Sequence, residues 1–71
     1  MSALAWVADP DNPTCTVLVN PAGAVHAWVL DKGSHALWYL PDKKGSGYAS
    51  GASPVFSAQA AAERRLAELS A

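Results

Sequence analysis

Apolar residues fill the first two-thirds of the chain in short runs, each stopped by Gly, Pro, Asn or Asp. Thr14 to Val19 (TCTVLV) is rich in β-branched residues and predicts a strand. Val25 to Asp31 (VHAWVLD) predicts a second strand and His35 to Leu40 (HALWYL) a third, ended by Pro41. Tyr48 to Ser50 (YAS) predicts a short fourth strand near the sheet edge. Asn20, Pro21, Ala22 and Gly23 suit a three-residue hairpin loop built on a type I turn, with Gly23 left-handed. Asp31 to Ser34 marks the second hairpin turn. Pro41 to Gly47 (PDKKGSG) reads as a flexible loop. The run Leu4 to Ala8 (LAWVA), set off by the turn cluster Asp9 to Pro13, predicts an edge strand or a hydrophobic arm.

The period then changes. Ala58 to Leu69 (AQAAAERRLAEL) holds helix formers and no Gly or Pro. Ser57 is the expected N-cap, with Phe56 stapled to Ala61. Ala58, Ala62, Leu66 and Leu69 share one face at 100° per residue. The expectation is a single α+β domain over residues 1–71. Its parts are an N-terminal arm or edge strand at 1–13, an antiparallel three- to four-stranded β-meander at 14–50, and a C-terminal helix at 57–69 packed on one face.

Side chains alternate along strands, so hairpin register decides what each face carries. The Asn20–Gly23 loop predicts Val19 opposite Val25, Val17 opposite Ala27 and Cys15 opposite Val29. Those six residues would share one face. Thr14, Thr16, Leu18, His26, Trp28 and Leu30 would share the other. A two-residue Lys32–Gly33 loop sets Ala36, Trp38 and Leu40 with the valine face, and His35, Leu37 and Tyr39 with Trp28. A three-residue loop exchanges the two sets. In both cases Trp38 and Tyr39 point opposite ways, and both faces carry large apolar side chains.

One helix covers one face. An antiparallel sheet with a solvated second face alternates apolar with polar residues, and these strands do not. The LAWVA arm, a second copy or another protein must cover that face. Composition points the same way. Charged residues make up 15% of the chain, against about 25% in an average soluble domain. A homodimer is expected. The net charge of -1 offers no long-range attraction to phosphate backbones or anionic membranes. Cys15 is the single cysteine, which fits a reducing compartment. The N-terminus lacks a basic segment followed by a long apolar run, and no stretch approaches the ~20 apolar residues of a membrane span. A cytoplasmic setting is expected.

Chemistry-bearing residues are sparse. His26, His35 and Cys15 lack the paired spacing of a metal site, so no metal and no cofactor is expected. Cys15 reads as a small core residue rather than a nucleophile. Lys43 to Gly47 lacks both the pattern and the context of a phosphate loop. Arg64 and Glu68 form an i,i+4 surface pair. No catalytic set stands out and no enzyme is expected. Aromatic and apolar side chains are the anchors that protein interfaces use, which nominates Trp6, Leu18, Trp28, Leu37, Trp38 and Tyr39. The alternative stacks nucleic-acid bases on the strand aromatics, with Lys43, Lys44, Tyr48, Arg64 and Arg65 as contacts. The strands Val25–Leu30 and His35–Leu40 hold no Lys or Arg, unlike most nucleic-acid readers.

From Val25 to Leu69 the pattern AWVLD…HALWYL…GYASG…FSAQAAAERRLAEL resembles small, mostly uncharacterised bacterial and phage modules. These carry a β-meander followed by a helix that opens near an S-x-x-x-A stretch. The resemblance covers about two-thirds of the chain and implies that fold. Similar shapes, such as AP2-like and integrase arm-type domains, bind DNA, but this chain departs from them in lacking basic strand residues. No functional residue carries over. The expected function is that of a small non-enzymatic interaction protein binding itself and another protein. Accessory and inhibitor proteins of phages and mobile elements, anti-CRISPR proteins included, are of this kind. Nucleic-acid binding or regulation is the alternative.

Overall fold

The computed structural model describes residues 4–70. The elements run β1 (Ala5–Asp9), β2 (Asn12–Val19), β3 (Val25–Asp31), β4 (His35–Tyr39), a 3-10 turn (Pro41–Lys43), β5 (Ser46–Ser50) and α1 (Pro54–Ser70). The strands form one antiparallel sheet in chain order, a five-stranded meander, and α1 lies across β3, β4 and β5. The predicted three to four strands are therefore five. All of the LAWVA segment but Leu4 falls in the edge strand β1, with Trp6 opposite Leu18 and Val7 opposite Val17. The first three residues of the predicted arm lie outside the described residues.

The β2–β3 loop forms as its residues dictate. The Gly23 amide donates to the Asn20 carbonyl (2.9 Å) and the Asn20 amide to the Ala24 carbonyl (3.1 Å). Gly23 has φ of 89°, a conformation that costs glycine little. Asn20 Oδ1 accepts from the Ala22 and Ala24 amides, which holds the loop from inside. Val19 faces Val25, as the loop requires.

Beyond that pair the register shifts by one. Leu18 faces Ala27, Val17 faces Trp28 and Cys15 faces Leu30. His26 is the extra residue of a β-bulge, and its Nε2 lies 3.4 Å from Asn20 Nδ2. This corrects the predicted faces. Val17 and Cys15 do not lie with Ala27 and Val29, and Leu18 and Thr16 do not lie with Trp28. A single inserted residue reverses every side chain of one strand relative to the next.

The β3–β4 register pairs Trp28 with Tyr39, Val29 with Trp38, Leu30 with Leu37 and Asp31 with Ala36. The Lys32 amide donates to the His35 carbonyl (2.9 Å), so the two-residue loop is Gly33–Ser34 rather than Lys32–Gly33. Asp31 Oδ1 accepts the Gly33 amide and stabilises that choice. The shift from the predicted two-residue loop is even, so its faces survive. Ala36, Trp38 and Leu40 lie on the helix side, and His35, Leu37 and Tyr39 with Trp28.

The helix begins three residues before the predicted cap. Pro54 opens it with a φ already suited to a first turn. The Ser57 amide donates to the Ser53 carbonyl (3.0 Å), which places Ser57 inside the helix. Phe56 consequently points outward, 71% exposed, and staples nothing. The buried stripe runs through Ala58 and Ala62, with Val55 and Leu66 packed beside it, and Leu69 falls outside it.

Alanine meets alanine between the layers. Ala62 clusters with Leu18, Ala27 and Leu40, and Ala58 clusters with Val29 and Ala36; all four alanines are fully buried. Trp6 and Trp38 pack against both clusters. The Trp6 indole N–H donates to Glu63 Oε2 (2.8 Å). Trp38 lies over Gly47 on β5, where a Cβ would stand 2.5 Å from the indole Nε1. Gly47→Ala must therefore push the Trp38 ring off its seat. A loss of about 1–3 kcal/mol is expected, the usual cost of overpacking. Urea unfolding followed by tryptophan fluorescence reads it, and an unchanged midpoint would contradict the contact.

Candidate interaction surface

The face of the sheet turned away from α1 follows from these pairings. One row crosses the strands as Val7, Val17, Trp28 and Tyr39. The adjacent row is Cys15, Leu30, Leu37 and Tyr48. Two ring pairs are stacked on it. Trp28 and Tyr39 have centroids 5.0 Å apart at 12°, and His35 and Tyr48 5.1 Å apart at 27°. Such offset pairs hold each other flat against the sheet. Tyr48 is 64% exposed, Val7 43% and Tyr39 38%. No residue of the five strands is Lys or Arg.

Cys15 and Val17 are buried although they lie on the helix-free side. Leu30 and Trp28 stand directly across from them on β3. Burial raises the Cys15 thiol above its ordinary pKa and the Asp9 carboxylate adds to the rise, against a smaller lowering from the Val29 backbone. The thiol stays protonated and is a poor nucleophile. Burial likewise raises the Tyr39 phenol, with further contributions from Cys15 and Asp9.

The residues nominated from sequence divide between the faces. Trp28, Leu37 and Tyr39 lie on the helix-free face. Leu18, at 2% exposure, Trp6 and Trp38 lie beneath or beside α1 and hold it to the sheet. Beyond the nominated residues, Val7, Cys15, Val17 and Leu30 join this face through the strand pairing, and His35 through its stack on Tyr48. Tyr48, nominated for the nucleic-acid alternative, belongs to this face as well. Phe56 is exposed on the helix. The register of β5 across a six-residue connection has no local sequence signal, so the His35–Tyr48 contact is not readable from sequence.

The basic candidates lie elsewhere. Arg65 Nε donates to the Lys44 carbonyl (3.0 Å) and pins the loop to α1. That loop is a closed turn rather than a free tether. The Leu40 amide donates to the Gly45 carbonyl (2.8 Å), and Asp42 and Lys43 both adopt positive φ. Arg65, not Arg64, reaches Glu68, at 3.4 Å and i,i+3. Arg64 instead lines a shallow groove with Tyr48 and Phe56. His26 is engaged by Asn20 at the bulge, away from the His35 stack. Among the described residues no three His, Cys, Asp or Glu side chains converge, and no helix is long and apolar enough to cross a membrane.

The raised pKa values carry a pH dependence of definite sign. Below the ordinary thiol pKa both folded and unfolded chains are protonated, and stability is fully present. Above about pH 8.5 the unfolded chain loses its thiol proton first, so stability falls as the pH rises toward the folded value. Cys15→Ala removes the thiol's share and flattens the alkaline slope of urea midpoints. An unaltered slope would show that the buried thiol is not its source. No protein-family model matches the chain, and no curated protein and no solved structure is significantly similar to it.

Proposed function

We propose that the protein is a small non-enzymatic interaction module that pairs with a second copy through its helix-free sheet face. The observation that carries this reading is that face itself: Val7, Val17, Trp28, Leu30, Leu37, Tyr39 and Tyr48 side by side with no Lys or Arg among the strands. Apart from the Asp9 carboxylate, which acts on Cys15 and Tyr39, the face is apolar, and an apolar face is complementary to itself, which suits a two-fold interface. Five strands about 4.8 Å apart and about 20 Å long present roughly 500 Å² each. Two copies together reach about 1,000 Å², the lower bound for a specific interface. Trp28 and Tyr39 stand near its centre, where anchors act. A second protein engaging such a dimer would make it an accessory or inhibitor protein.

Light scattering at tens of micromolar is expected to give about twice 7.4 kDa. The double variant Trp28→Glu and Tyr39→Glu is expected to fall to one chain's mass while keeping its far-ultraviolet circular dichroism. A wild-type mass of one chain removes the proposal.

One observation favours a second reading. Four aromatic rings share one face, which suits base stacking. The cations that such binding needs lie in the 41–44 turn and on α1 rather than in this face. Under this reading a fluorescein-labelled oligothymidylate binds at low salt and is released steeply as salt rises. Under the interaction reading its anisotropy does not change at any salt concentration.

A further inference from the structure

The sheet has two edges, and they differ in how they are protected. β1 ends in Asp9, is followed by Pro10 and carries a register shift between Ala8 and Asp9. Charge, proline and irregularity are the devices that keep an edge from pairing with foreign chains. β5 has none of them. Its sequence SGYAS holds no charge and no proline, and its register with β4 runs unbroken through all five pairs. It pairs with β4 alone, so one row of its amides and carbonyls is open.

Beside that open edge runs a groove of about 400 Å³ between β5 and α1. Tyr48, Ser50, Phe56, Ala60 and Arg64 are among its walls. Phe56 is 71% exposed, an unusual place for the largest side chain of a helix's first turns. Arg64 is the groove's one charged residue, and neither an ion pair nor a hydrogen bond engages its side chain among the described residues. An edge strand beside a helix is the geometry in which an extended peptide adds to a sheet, with main-chain hydrogen bonds for affinity and side-chain pockets for choice.

We infer that the β5–α1 groove binds an extended segment of a partner protein as a sixth strand, with an Asp or Glu side chain of that segment against Arg64 and an apolar side chain against Phe56. Charge selects this occupant over a second copy. The groove contains no acidic residue, so self-pairing would bring two guanidinium groups together without a counter-charge, whereas an acidic strand supplies one. The inference rests on the interaction reading only in treating the protein as a binding module; its groove meets the helix-free face at Tyr48 and otherwise uses other residues.

Selection from a displayed library of random short peptides against the full chain tests it. Enriched peptides are expected to alternate apolar or β-branched with polar residues and to contain Asp or Glu. A labelled enriched peptide is expected to bind Arg64→Glu about tenfold more weakly. Phe56→Ser should weaken it too, and N-methylation of alternate peptide amides should abolish binding. Both substituted side chains are exposed, so folding is not at stake. No enrichment, enriched peptides without acids, or equal binding to Arg64→Glu each overturns the inference. The Trp28→Glu, Tyr39→Glu variant separates the two surfaces. Peptide binding retained in that variant supports the groove, and binding lost with it moves the peptide to the helix-free face and overturns the groove. A fall in wild-type mass caused by Arg64→Glu or Phe56→Ser would identify the edge as the contact between copies and overturn the peptide assignment.

Discussion

The close seat of the helix on the sheet rests on alanine meeting alanine. Ala58 and Ala62 come from α1, Ala27 and Ala36 from β3 and β4, and all four are sealed from solvent. Small side chains on both layers let the helix approach closely, and the gap at its flanks is filled by large ones. Trp6 and Trp38 form the walls of this seat. Gly47 is the complement of Trp38, since the indole occupies the space a side chain there would need. A chain with few residues gains its core by filling the sides of a narrow contact rather than by thickening the centre. Because α1 lies over β3 to β5, a groove of about 470 Å³ bounded by Trp6, Leu18, Glu63 and Leu66 stays open toward β1 and β2.

Much of the architecture was legible because it depends on local signals. The Asn20–Gly23 loop, the strand runs, the stop at Pro41 and the helical stripe all act within a few residues. The opposite directions of Trp38 and Tyr39 follow from alternation alone and hold in the structure. The face assignment of β2 did not survive, and the reason is specific. The loop correctly fixes Val19 against Val25, but His26 is inserted one residue later, where Asn20 reaches it. Nothing about a histidine in a strand announces a bulge. The helix start was misplaced because Ser57 is a good cap in isolation, while Pro54 is a stronger initiator once the chain has turned toward the sheet.

The surface candidates were legible by residue type and not by position. Trp28, Leu37 and Tyr39 share the helix-free face, whereas Trp6, Leu18 and Trp38 serve the layer beneath α1. The same residue types do both jobs, and only the pairing of strands sorts them. The basic residues illustrate the same limit. Arg64 and Arg65 are neighbours in sequence, yet Arg65 is spent on the Lys44 carbonyl and Glu68 while Arg64 faces the β5 groove.

The meander order has a consequence for how the chain assembles. Every strand pairs with its neighbour in sequence, so loop closure is inexpensive in entropy and hairpins can form one after another. Among the described residues α1 joins distant parts, and the bond that Trp6 donates to Glu63 spans 57 positions. That bond ties a helix made after all five strands to the first of them. The nascent meander, with its alanine track and two tryptophans still bare, must wait for the helix to emerge, so the exposure of its future core is set by the rate of translation as well as by folding.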